Sequence, residues 1–190
     1  FATRTWIIPL HAEAPDEAQN GVIIRLDPGL AFGSGTHPTT ALCLQWLDGL
    51  NLQNKCVLDF GCGSGILALA ALKLGAKHAV GIDNDPQALI ATRDNSDRNG
   101  VGESLEVYLP EQAPTGQYPI VLANILASAL ISLVDVLAAR VETGGVIALS
   151  GILHNQADEV IKHYQTYFDE LTVQQQEDWV RICGRRNNTH

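Results

Sequence analysis

The sequence predicts a doubly wound α/β fold, a mostly parallel, Rossmann-like sheet with helices on both faces and an antiparallel C-terminal edge. Three observations predict it. From Lys55 onward, short β-branched runs alternate with stretches of helical periodicity. A glycine-rich turn, Asp59-Phe60-Gly61-Cys62-Gly63-Ser64-Gly65, joins one such run to a helix. The tail reads as two strands around the turn Glu177-Asp178, an antiparallel pair on one sheet edge.

Ahead of the alternating core, strands are expected at residues 5–8 and 22–26, with a polar loop between them. Residues 27–40 read Asp-Pro-Gly-Leu-Ala-Phe-Gly-Ser-Gly-Thr-His-Pro-Thr-Thr and open a helix over 39–47, with Pro38 in its first turn where an N–H is dispensable. Core strands are expected at 56–60, 79–83, 105–108, 120–123 and 146–150. Helices are expected at 66–74, 86–98, 128–139 and 156–168. Asp85 before Pro86 is an N-cap followed by a first-turn proline. Asn99-Gly100 and Gly144-Gly145 tolerate positive φ and are expected to end helices. The closing strands fall at 171–176 and 179–184.

Composition bounds the rest. With 190 residues, 46% of them hydrophobic, the chain can build one ordinary domain with a small N-terminal attachment. No apolar run approaches the roughly 20 residues that cross a bilayer, and nothing at the start resembles a secretion signal, so a soluble cytoplasmic protein without a membrane partner is expected. Cys43, Cys56, Cys62 and Cys183 lack C-x-x-C spacing or an adjacent histidine, so no metal site and no disulfide framework is indicated. The chain opens on Phe1 and contains no methionine, which reads as a processed product or part of something longer. A net charge of −9 argues against direct binding to a nucleic-acid backbone. A basic partner and plain solubility both account for it.

In the turn at 59–65 the glycines permit a tight bend and let backbone N–H groups approach a ligand without a Cβ in the way. The dinucleotide fingerprint G-x-G-x-x-G fails, because Ile66 stands where its third glycine belongs. The pattern is G-x-G-x-G with an acidic residue two positions ahead, similar to the loop of class I S-adenosylmethionine-dependent methyltransferases. Asp83 lies about 20 residues further on, where a carboxylate accepts hydrogen bonds from both ribose hydroxyls of an adenosyl ligand. Its alternative role, capping the next helix, is already filled by Asp85. After the fourth core strand, Asn124-Ile125-Leu126-Ala127 places an amide at the carboxyl edge of the sheet. There it either orients an amine or is an ordinary strand-end asparagine. The tetrad resembles the Asn-Pro-Pro-Tyr type of amine methyltransferases, with apolar residues for both prolines and Ala127 for the aromatic.

Residues 27–40, 59–65, the tetrad at Asn124, Ser150-Gly151-Ile152-Leu153 and Glu177-Asp178-Trp179-Val180-Arg181 together resemble the catalytic domain of the ribosomal protein L-eleven methyltransferase (PrmA) family, over nearly the whole chain. Small departures are Ser34 where threonine is more frequent and Ser128-Ala129 where Gly-Pro is usual. The resemblance implies the class I methyltransferase fold. Residues 1–21 would be the linker left by an absent N-terminal substrate-recognition domain, and 22–190 the catalytic domain. It implies S-adenosylmethionine as cofactor, held by Thr40, Gly61, Gly63, Asp83 and Asn124, with Phe32 and His37 on a loop that covers it. Asn124 is also the catalytic residue, orienting the amine. The general base stays unassigned.

The implied substrate is a ribosomal protein, methylated repeatedly at lysine ε-amines and the N-terminal α-amine by a monomeric enzyme. His37 has a plainer alternative as a helix-start residue that satisfies a backbone group. The Gly33-Ser34-Gly35 core beside it predicts a mobile cover over the cofactor. Competing readings are a nicotinamide-dependent oxidoreductase, disfavoured by Ile66; a nucleic-acid or small-molecule amine methyltransferase; and a cofactor-binding fragment inactive without its recognition domain.

Overall fold

Strands form chiefly where β-branched and aliphatic residues run without interruption, because the central strands have both faces covered and need no polar alternation, whereas the edge strand over 168–176 is mostly polar and exposed. In the computed structural model, which describes residues 5–9, 13–16, 21–26 and 37–189, they are β1 (Thr5–Pro9), β2 (Val22–Leu26), β3 (Cys56–Phe60), β4 (His78–Ile82), β5 (Leu105–Tyr108), β6 (Tyr118–Asn124), β7 (Val141–Leu153), β8 (Phe168–Gln176) and β9 (Trp179–Arg186). The helices are α1 (Pro38–Asp48), α2 (Ile66–Lys73), α3 (Pro86–Arg98), α4 (Ala127–Ser132), α5 (Val134–Arg140) and α6 (Ala157–Tyr164). Seven strands make one sheet in the order β5-β4-β3-β6-β7-β9-β8. β3 through β7 pair in parallel, and β9 runs antiparallel to both neighbours, which gives the expected antiparallel edge. A separate two-stranded sheet pairs β1 with β2 in parallel.

Successive residues of each strand enter opposite cores, as the pleat requires. Leu58, Val121, Ala123, Ile147 and Leu149 pack on the side of α4 to α6. Val57, Ile120, Leu122 and Ala148 pack toward α1, α2 and β2. Helix α2, buried from Ile66 to Leu72, is apolar all round because it lies between the sheet and the α1–β2 layer. The chain order reverses between β3 and β6, and the crevice at their carboxyl ends is where open α/β sheets hold ligands.

Several expected boundaries move for identifiable reasons. The helix at 128–139 divides at Leu133, where the buried Tyr164 hydroxyl donates at 2.7 Å to the Leu130 carbonyl, the acceptor that the Val134 amide would take in an unbroken helix. The helix at 156–168 stops at Tyr164, and Phe168, which continues its apolar period, instead starts β8 as a buried residue. Gly144 and Gly145 do not end a helix. α5 ends at Arg140, and these glycines bend β7 between its pairings at Val141 and Val146, Gly144 with φ +83°. The caps at Asp85 and His37 are present, each accepting the backbone N–H two residues on, at 2.9 and 3.2 Å. Of the predicted cover over residues 32–40, residues 32–36, including Phe32, lie outside the described residues, while His37 caps α1 and Pro38, Thr39 and Thr40 form its first turn.

Candidate active site

The turn after β3 is held from both sides. Gly61, Gly63 and Gly65 have φ of 80°, 55° and 85°, values open to glycine but strained for other residues. The amides of Gly61 and Cys62 donate to the Ile82 carbonyl at 2.6 and 3.0 Å, and the Gly63 amide donates to Asp83 Oδ2 at 3.0 Å. From α3, Thr92 Oγ1 donates to the Gly63 carbonyl at 3.0 Å and Asn95 Nδ2 to the Ser64 carbonyl at 2.9 Å. The sequence suggests amides turned toward a ligand, but in the structure the Gly61, Cys62 and Gly63 amides fasten the turn to the end of β4.

That difference discriminates between ligands. A pyrophosphate needs free amides and an unobstructed helix N-terminus. Here Asp59 already faces the first turn of α2, where its Oδ2 accepts the Ala68 amide at 3.3 Å. Asp59 is 1% exposed and its Oδ1 has no hydrogen-bond partner among the described residues, so burial pushes its carboxyl up to about 7. An orphaned acidic oxygen beside a tight turn suits a cationic, phosphate-free ligand.

The turn, Asp83 and the end of β6 line one cavity of about 630 Å³. Asp83 follows β4. Its Oδ1 accepts from the Asp85 amide at 2.9 Å and its Oδ2 from Gly63, and each oxygen keeps a lone pair for a ligand hydroxyl. Asn124 ends β6 opposite Ser150 of β7, and its Nδ2 makes a long 3.5 Å contact to Oγ1 of buried Thr40. Its amide oxygen and second N–H remain for an acceptor. Ser150 Oγ donates to the Thr39 carbonyl at 2.9 Å and fixes α1 over this edge.

The structure thus brings His37, Thr40, Gly61, Gly63, Asp83 and Asn124 to one cavity, while Phe32 lies outside the described residues. For His37 the plainer reading holds. It caps α1, and its ring meets Trp179 edge to face at 5.0 Å on the cavity wall. Sequence reasoning did not assign Trp179 or Asp59 to the site. The acidic position of the glycine motif pointed to Asp59, and a tryptophan opening a strand just after an acidic turn pointed to Trp179.

Ile125, beside Asn124, is wedged between two glycines. A Cβ at Gly61 would come within 2.4 Å of Ile125 Cγ2, and one at Gly151 within 2.2 Å of the Ile125 carbonyl oxygen. The tetrad is therefore fixed against both the glycine turn and β7. The strand order, the tight turn and the carboxylate after β4 define the class I methyltransferase fold.

The family described as ribosomal protein L11 methyltransferase (PrmA) matches residues 1–187, and the chain belongs to that family. It is 61% identical over 192 residues to the ribosomal protein L11 methyltransferase of Stenotrophomonas maltophilia (strain R551-3), covering 98% of this chain and 63% of that protein. Against the namesake of Xylella fastidiosa (strain 9a5c) it is 57% identical with the same coverage. The chain thus spans 63% of the length of these curated relatives. The crystal structure of a ribosomal protein L11 methylase from Lactobacillus delbrueckii subsp. bulgaricus superposes with a TM-score of 0.88 at 28% identity, covering 98% of this chain and 97% of that one.

Proposed function

We propose that this chain is the catalytic portion of an S-adenosylmethionine-dependent protein N-methyltransferase that acts in the cytoplasm. Its substrate is ribosomal protein L11, methylated at lysine ε-amines and the N-terminal α-amine. The observation that carries the proposal is Asn124, a hydrogen-bonding amide on a rigid strand end, sharing one cavity with Asp83 and the glycine turn. Thr40, Gly61, Gly63, Asp83 and Asn124 would hold the cofactor, with Phe32 and His37 covering it. Residues 1–21 would link to a recognition domain. When bound, S-adenosylmethionine supplies an electrophilic methyl group on a sulfonium.

The protein's part is positioning, since no metal or covalent nucleophile is required. Asn124 accepts a hydrogen bond from the acceptor amine and orients its lone pair. The apolar wall at Ile125 and Leu133 penalises an ammonium ion and so favours the neutral, reactive amine over a form whose ordinary pKa is near 10.4. A base-stacking acceptor site fits poorly, because Ala127 occupies the aromatic place of the tetrad and is buried.

The test is single-turnover methylation of L11 at saturating cofactor, with the recognition domain present so that docking is not limiting. Asn124→Ala should lower the transfer rate about 100-fold or more, far more than it weakens cofactor binding, because the lost contact matters chiefly in the transition state. Asn124→Asp should rescue poorly, since a carboxylate favours the ammonium form. A variant whose deficit vanishes at higher cofactor would return Asn124 to a structural role.

A further inference from the structure

Building on the proposed amine transfer, we infer that the apolar mouth of the cavity at Leu126 is the docking surface for a lysine side chain carried in a segment rich in further positive charges. Leu126 is 71% exposed, although it directly follows the pinned Ile125 and precedes buried Ala127. Its backbone is fixed on the other side too, since its carbonyl accepts the Leu130 amide at 3.0 Å as α4 begins. A rigid frame therefore holds an aliphatic side chain in water at the rim of a cavity also walled by Ala129, Leu133 and Trp179. The four-carbon stem of a lysine is a matching occupant, burying its methylenes while its nitrogen reaches Asn124.

The charges around this mouth indicate what flanks that lysine. Parallel topology places the carboxyl ends of β3 to β7, and the turn between β8 and β9, on one edge. Exposed acids stand on that edge: Asp85 starting α3, Glu111 after β5, Asp158 and Glu159 starting α6, and Glu177-Asp178 directly before Trp179. Among the described residues the cations gather at the opposite edge. Lys55 and Lys77 precede β3 and β4, Lys73, Arg98 and Arg140 end α2, α3 and α5, and Arg185 lies near the end of β9. Arg93 is mid-helix, and the Arg181 guanidinium near the site donates to the Leu42 carbonyl at 2.6 Å. The site edge thus attracts cationic segments and repels a phosphate backbone or an acidic peptide.

Fluorescent peptides with one central lysine, flanked by arginines or by glutamates, test this by anisotropy with S-adenosylhomocysteine saturating, while methyl transfer to the same peptides is assayed in parallel. The arginine-flanked peptide should bind at least about tenfold tighter, with the advantage shrinking as salt rises. Leu126→Ala should weaken it about tenfold with unchanged thermal melting and S-adenosylhomocysteine affinity. Glu177→Gln with Asp178→Asn should narrow the gap between the peptides. Equal binding of the two peptides, indifference to Leu126→Ala, or displacement by a single-stranded oligonucleotide would overturn the inference. Transfer that proceeds without dependence on Leu126 overturns the docking surface and leaves the methyltransferase reading standing. Leu126-dependent binding with no transfer supports the surface and counts against that reading.

Discussion

Asp59 combines near-complete burial with a single hydrogen bond of 3.3 Å among the described residues, so its negative charge is expensive and its carboxyl is pushed up to about 7 from 3.8. Between those values the folded chain holds a proton that the unfolded chain has released. Stability contributed at this position is therefore full below about pH 4, falls as pH rises toward 7, and is level above it. The limiting slope is about 1.4 kcal/mol per pH unit for one whole proton. Urea unfolding at intervals from pH 4 to 8 should show this fall in the wild type and a flatter profile in Asp59→Asn. Identical profiles would contradict it. Asp83 invites a second prediction. Asp83→Ala should weaken S-adenosylmethionine binding by about 1.5–3 kcal/mol, the range for charge-assisted bonds, and Asp83→Asn by less because Gly63 keeps an acceptor. Calorimetry on the folded variants measures both. The place of Asp83 beside the turn was legible in the sequence because of its spacing after the glycines. The importance of Asp59 was not, because an unpartnered buried oxygen is a property of packing around the motif rather than of the motif itself.

The elements that shape the site depend on a few backbone positions. Gly151 has φ +83° and faces the Ile125 carbonyl so closely that a Cβ would sit 2.2 Å from its oxygen. Gly100 has φ +72° with nothing within 4 Å of its would-be Cβ. Gly100→Ala should cost about 1 kcal/mol, the left-handed penalty alone. Gly151→Ala should cost at least about 3 kcal/mol, because strain and overpacking add there, and should displace the tetrad carrying Asn124. Chemical denaturation of the two variants checks the contrast, and equal losses would contradict it. Element identity was largely legible. β3, α3 and β5 fall at the expected residues, where strand runs and the Asp85-Pro86 cap are unambiguous. Misplaced boundaries occur where a side chain or neighbouring strand decides against the local pattern: Tyr164 dividing a helix at the Leu130 carbonyl, Phe168 captured by β8, and Gly144 bending β7.

At the scale of the molecule, the sheet sorts chemistry as well as layers. The reversal between β3 and β6 creates the cavity, and the βα turns around it supply the glycine turn, Asp83, Asn124 and an acidic rim. Helix ends and strand starts at the far edge carry most of the described cations. An α/β class follows from alternation alone, and the −9 charge fits a basic partner and plain solubility alike, but the placing of Asp85, Glu111, Asp158, Glu159, Glu177 and Asp178 on the site's edge emerges only from topology. The measurement that tests the central proposal most directly is mass spectrometry of L11 after incubation with S-adenosylmethionine and this chain, alone and extended by the proposed N-terminal recognition domain. Methyl-sized increments on lysine side chains and the α-amine, abolished by Asn124→Ala, are the predicted result. Unmodified L11 in both incubations, while the folded chain binds the cofactor, would contradict it.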